Sequence, residues 1–266
     1  MLYLLTVSQV NSSQPTLNQK SLWNTTISAI GQSYPMRWIE KNIGAKFYGN
    51  IIEQSGLDNG PATPHYQALG KEAQSTVGIP AEYQVPIKKM SPNNPIAQIA
   101  AGLTFPHAIY INEEKLDEQS YGVQRCAMYH EAIHKKYNDI SFDNIIEWPI
   151  LFGTGYATHK ILQIIKPRIT PNFIHGILVV ASAFTSMYKT SLAYHHYMER
   201  RADVEGCYAT QCATCVQEAA THRRKRFEEE NHPFKDNGYL QANEMEMIAH
   251  DLKEENKLCA YHENNA

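Results

Sequence analysis

A chain of 266 residues with 43% hydrophobic composition holds enough apolar material for one sizeable core and too little for two large domains. Its formal net charge of −3 gives no global attraction to nucleic acid or to an anionic membrane, so partners have to be found in local features. Five cysteines cannot all pair and a chain this long needs no disulfide staples, which favours a reducing, intracellular setting on the cytoplasmic side.

Met1 to Val7 is briefly apolar, but no basic residue precedes it and no small-residue cleavage pattern follows, so it does not read as a secretory signal. The acceptor patterns at Asn11 and Asn24 are then polar loop residues. Residues 1–60 are expected to form a poorly ordered or variable segment, with order beginning over Tyr34 to Ile52 and a turn-rich linker from Gly56 to Pro64. One folded domain is expected over 61–256 and a polar tail over 257–266.

Pro64 to Val77 reads as a helix and Ala81 to Lys89 as a strand. His107 to Asn112 alternates as a second strand, with edge and interior placements equally open, and His107 is a polar residue of that strand rather than a ligand. Leu116 to Tyr137 has no proline and one glycine, has Asp117 and Ser120 as possible N-caps, and reads as a helix. Within it stands His130-Glu131-Ala132-Ile133-His134, the pattern H-E-x-x-H. Histidines four apart share a helix face, so both imidazoles can reach one zinc ion while Glu131 sits beside the open coordination position. Such a carboxylate can take a proton from zinc-bound water and return it to a leaving amine.

Two apolar stretches follow, Trp148 to Ile165 and Ile169 to Tyr188, joined by a short proline-broken link. They predict a helical hairpin within 144–190. The first is too interrupted to span a bilayer comfortably; the second only just reaches the length a spanning helix needs. A hairpin buried in the catalytic domain is the default, and membrane contact through 148–188 is the alternative.

Glu199-Arg200-Arg201-Ala202-Asp203 forms E-x-x-A-D, again with two carboxylates on one face. Glu199 completes a three-ligand zinc site with His130 and His134, Ala202 keeps the helices close, and Asp203 is placed to orient an imidazole from behind. His195 and His196 lie near the face of Glu199 and are the alternative third ligands. Cys207, Cys212 and Cys215, with the distant Cys259, echo the spacing of an iron–sulfur site, but their alanine-rich helical setting favours small core residues. The basic run His222 to Arg226 is followed by Glu228 to Glu230 and reads as a solvated, internally paired helix face, so no nucleic-acid partner is expected. Leu240, Ile248 and Leu252 mark a final packing helix.

The pair H-E-A-I-H and E-R-R-A-D resembles the gluzincin metallopeptidases that include the CAAX prenyl endopeptidase and the HtpX-like heat-shock proteases, over roughly Ala68 to Leu252. Looser matches run from Leu69-Gly70 to Ile79-Pro80 and from Ile99 to Asn112. The resemblance implies a mainly α fold with a small β-sheet beside the zinc helix, one Zn2+ held by His130, His134 and Glu199, Glu131 as general base and Asp203 behind the ligands. It also implies that the strand before the zinc helix receives extended substrate, and that His232, in Asn231-His232-Pro233, steadies the oxyanion. The expected function is a zinc-dependent endopeptidase acting on peptide or protein substrate. A non-catalytic, zinc-stabilised interaction protein is the alternative, although Glu131 would have no duty in it.

Overall fold

The computed structural model describes residues 29–30, 32–165, 172–229 and 238–264. The chain is mainly helical with one small sheet, as the sequence predicts. Ser33 caps helix α1 (Tyr34–Ile39), its side chain accepting from the Met36 N–H, and Pro35 suits the first turn because a missing N–H there costs nothing. A π-turn (Glu40–Gly44) leads into α2 (Ala45–Ser55), which ends on left-handed Gly56. Strand β1 (Asp58–Pro61) and helix α3 (Pro64–Thr76) follow, then β2 (Ile87–Met90), the short α4 (Pro95–Ile99), β3 (Gly102–Phe105), β4 (Ala108–Ile111) and α5 (Glu113–Asp117).

The sheet has the order β1-β2-β4-β3, with β2 and β4 parallel and the two outer pairings antiparallel. Strand β4 is therefore interior, and its four residues are buried on both faces. That removes the edge placement for 108–111, whose alternation fitted either position; the free edge beside the following helix belongs to β3. The predicted strand at Ala81 begins only at Ile87, because Ala81–Tyr83 closes a 3-10 turn after Pro80.

Residues 34–61 pack into the domain, so the variable segment expected over 1–60 does not extend over them, and residues 1–28 lie outside those described. Lys135 donates to Glu40 at 2.9 Å and to the Pro106 carbonyl at 3.0 Å, both charged side chains being buried. Burial pushes the Glu40 carboxyl up, and Lys135 opposes that rise. Strand β1 occupies the span read as a linker, and Leu57 and Ile52 pack with Tyr110 of β4.

Helix α6 (Tyr121–Tyr137) runs through the middle and carries the H-E-x-x-H residues. Met128, Tyr129, Ala132 and Ile133 pack against Tyr66, Leu69 and Ala73 of α3 and against Ile87, Ile109 and Ile111 of the sheet. Burial of this kind, at about 25 cal/mol per Å² of apolar surface, fixes the helix where propensity alone could not. Asn138, in the left-handed region, ends α6, and α7 (Asp139–Ile165) starts at once in a new direction.

Helix α8 (Asn172–Ala209) spans about 57 Å at 1.5 Å per residue. Its first half packs along α7 as the predicted hairpin, with the link 166–171 outside the described residues. The hairpin is not buried. Phe152, Tyr156, Ile161, Ile164, Phe184 and Tyr188 are all exposed, Ile164 at 81%, because no other described element covers this arm. Among the described residues no helix is long and apolar enough to cross a membrane.

The second half of α8 returns to the core. Helix α9 (Ala213–Arg224), a π-turn (Lys225–Glu229), α10 (Ala242–Glu254) and the short α11 (Ala260–Glu263) complete the chain. Cys207 packs with Cys126, Val216, Leu240, Met245 and Ile248 as a small core residue, in keeping with the sequence reading.

Candidate metal centre

His130 and His134 project from one face of α6 towards α8, as their spacing requires. Helix α8 comes close because Ala202 is fully buried and Gly206 has no side chain: a Cβ there would lie 3.1 Å from the His130 backbone nitrogen. The approach brings Glu199 and Asp203 to the histidines. His130 Nε2 lies 3.0 Å from His134 Nε2 and 3.2 Å from Glu199 Oε2, and His134 Nε2 lies 3.6 Å from the same oxygen. Donors bonded at about 2.0–2.1 Å to one tetrahedral ion sit about 3.3–3.4 Å apart, so the three atoms could hold a single metal ion. Glu199 Oε2 is buried and its near polar neighbours are the two imidazole nitrogens, an arrangement that suits a shared metal ion.

Each imidazole is oriented from behind. His130 Nδ1 is 2.8 Å from Asp203 Oδ1, the role the sequence predicts for Asp203. His134 Nδ1 is 2.8 Å from Asp139 Oδ2, a partner the sequence reading missed. Asp139 stands just past the break at Asn138, where helical spacing no longer says which way a side chain points. It is held by buried Arg201, which also lies over the Tyr137 ring at 3.8 Å.

Arg223 is the second missed residue. Its guanidinium grips Asp203 at 2.9 Å and 3.3 Å, while the Leu240 N–H donates to Asp203 Oδ2 at 2.9 Å. The run 222–226 is therefore not a wholly solvated face. Arg223 points into the domain and Arg224 pairs with Glu246 of α10 at 2.7 Å, whereas any pairing with Glu228 to Glu230 lies outside the described side chains.

These contacts set the electrostatics. Burial opposes the charge on Asp203, but Arg223 and His130 outweigh it and hold the carboxyl well below the usual range. Burial likewise opposes ionisation of Glu199, and the two imidazoles overcome it. Burial opposes protonation of His134, yet Glu199 and Asp139 push its pKa up to about 9, and His130 is raised well above its usual value by Asp203 and Glu199. A field that favours a proton on each ring also favours a dication between them.

Glu131 is buried beside the three converging side chains and is not one of them. Thr104 Oγ1 donates to Glu131 Oε2 at 2.7 Å and lies 2.9 Å from its carbonyl oxygen. Gly102 makes the room: a Cβ there would stand 2.6 Å from Glu131 Oε1. Strand β3 thus seats the carboxylate, a constraint no sequence spacing showed.

His195 is 3.7 Å from the other oxygen of Glu199 and half exposed, and Glu199 makes the third corner; His196 lines the depression beside Tyr239. His232 lies outside the described residues. Tyr239 is the aromatic neighbour the sequence did not suggest, its ring stacked 6.0 Å from that of His130. Burial first, then Glu199, Asp203 and Glu131, keep its phenol protonated above the usual range. An open depression of about 450 Å³, lined by His196, Tyr197, Arg200 and Tyr239 among others, adjoins it.

Comparison of the chain with protein-family models, with curated proteins and with solved structures finds no match in any of the three. The centre therefore rests on its own geometry: two imidazoles and a buried carboxylate converging on one point, each imidazole fixed by an acid, with a further acid seated alongside.

Proposed function

We propose that the chain is a zinc-dependent endopeptidase of the gluzincin type, in which His130, His134 and Glu199 hold the ion and Glu131 is the general base. The observation that carries this reading is the buried Glu199 Oε2 facing both imidazole nitrogens, the three ligand atoms lying close enough for one ion. The seating of Glu131 speaks against a purely structural site, which would close its fourth position with another protein ligand. Zinc, when bound, supplies a Lewis acid for the substrate carbonyl and an acidified water. Glu131 takes the proton from the attacking water and delivers it to the leaving amine. Tyr239, kept protonated beside the centre, is placed to donate to the developing oxyanion, the role that resemblance assigns to His232. The outer edge of β3 pairs with no other described strand and suits an extended peptide next to Glu131. Purified chain loaded with zinc is expected to cleave members of a peptide library, to stop after chelation and to resume on adding zinc back. A folded, zinc-loaded protein that cleaves no peptide would overturn the peptidase reading.

The exposed hairpin arm supports a second part of the proposal, peripheral contact with a lipid surface. Residues 169–188 hold no formally charged side chain, and the arm displays large apolar side chains over both helices. The protein is expected to sediment with membranes at neutral pH and to be released by carbonate, since no described helix is long and apolar enough to cross a bilayer. Retention after carbonate, or a wholly soluble distribution before it, contradicts this.

A further inference from the structure

A second group of metal-ligating side chains gathers at the other end of α6, near its first turn. Cys212 precedes α9, and its Sγ accepts from the Cys215 N–H at 3.4 Å. Cys259 precedes α11 and His262 lies within it. The pattern is Cys-x2-Cys and, in the C-terminal segment, Cys-x2-His. All four ligand atoms fall within 4.8 Å of one another.

The distances are those of one tetrahedron. His262 Nδ1 lies 3.3, 3.6 and 3.4 Å from the Sγ atoms of Cys212, Cys215 and Cys259, and the last two sulfurs are 3.7 Å apart. Bonds of about 2.3 Å to sulfur and 2.0–2.1 Å to nitrogen place sulfurs about 3.8 Å apart and sulfur and nitrogen about 3.5 Å apart. A disulfide would need the sulfurs at about 2.05 Å, and all five cysteines are free. An iron–sulfur cluster spreads its thiolates over several irons, whereas these atoms converge on one point. Cys207, which shares the sequence cluster, takes no part and packs in the apolar core.

The surroundings fit a bound ion as well. His262 Nε2 is 3.0 Å from Glu218 Oε1, the carboxylate–imidazole arrangement that fixes a ligating histidine. Glu218 Oε2 accepts the Gly122 N–H at 2.9 Å, in the first turn of α6, and Tyr261 stacks on Tyr121 with centroids 4.1 Å apart. The cluster thus joins the C-terminal segment, α9 and the start of the helix that carries His130 and His134.

We propose that Cys212, Cys215, Cys259 and His262 bind one zinc ion as a closed structural clasp, each thiol releasing its proton to solvent as it coordinates. Four protein ligands leave no open position, so this ion does no chemistry and instead anchors the segment from Glu255 to Asn264 against α6 and α9. The proposal does not depend on the peptidase reading.

The test uses the full chain purified under reducing conditions. Cobalt(II) substitution is expected to give strong thiolate-to-metal charge-transfer absorption, unchanged in His134→Ala, which leaves all four clasp ligands in place. Mass-spectrometric metal analysis of His134→Ala should still find one zinc per chain. Cys259→Ser and His262→Ala should lose that zinc, and His262→Cys, which restores four ligands, should keep it. A folded wild-type chain without thiolate absorption on cobalt loading overturns the proposal, as does iron with inorganic sulfide or a Cys215–Cys259 disulfide in freshly purified protein. A chain with the thiolate signature but only one zinc supports the clasp while removing the His130 centre, so the two readings fail separately.

Discussion

Glu131→Gln is expected to slow peptide hydrolysis by about 10²–10⁴ while zinc content and folding stay nearly unchanged. The amide has the size of the carboxylate, and its oxygen can still accept from Thr104 Oγ1, which donates to Glu131 at 2.7 Å. What it cannot do is take a proton from water. A matching loss should follow from Gly102→Ala, which leaves Glu131 chemically intact but puts a methyl group 2.6 Å from where its Oε1 now sits. The carboxylate must then move while the ligands on α6 and α8 stay in place. Steady-state kcat compared with metal content on the same samples separates these effects. Hydrolysis by Glu131→Gln at the wild-type rate would show that another group is the base.

His134→Ala is expected to lose the ion of the His130 centre and all peptidase activity together, because two donors remain where three held the ion. The contrast is Asp139→Asn. The asparagine side chain can still accept from His134 Nδ1, yet it is a weaker partner, and removing such a carboxylate typically costs 10–100-fold in metal affinity. It also leaves the buried Arg201 guanidinium without its counter-charge, so this variant should melt at a lower temperature. Titration with a zinc-buffered chelator and thermal melting of the two proteins give both numbers. Full activity in His134→Ala would refute the ligand assignment.

Local features carried much of the site into the sequence. Helical period alone puts His130 and His134 on one face, and Glu199 and Asp203 on another, because residues four apart share a face wherever a helix forms. The sequence by itself also determined the mainly helical class, the hairpin and the position of the strand before α6, all set by patterns within a few turns of chain. Only the tertiary structure decided which faces meet. Ala202 and Gly206 let α8 reach α6, a packing event between residues far apart in the chain. Asp139, Arg223 and Tyr239 join the centre through changes of chain direction that no period encodes. Apolar residues announced that the hairpin would leave water, but not that its described side chains would stay uncovered. Alternation in 108–111 fitted an edge or an interior strand equally until β2 and β3 took both sides. The four ligands of the C-terminal cluster were all visible as residue types, yet Cys215 meets Cys259 and His262 only because α9 and the last segment pack together, and burial against distant neighbours is decided by the whole fold.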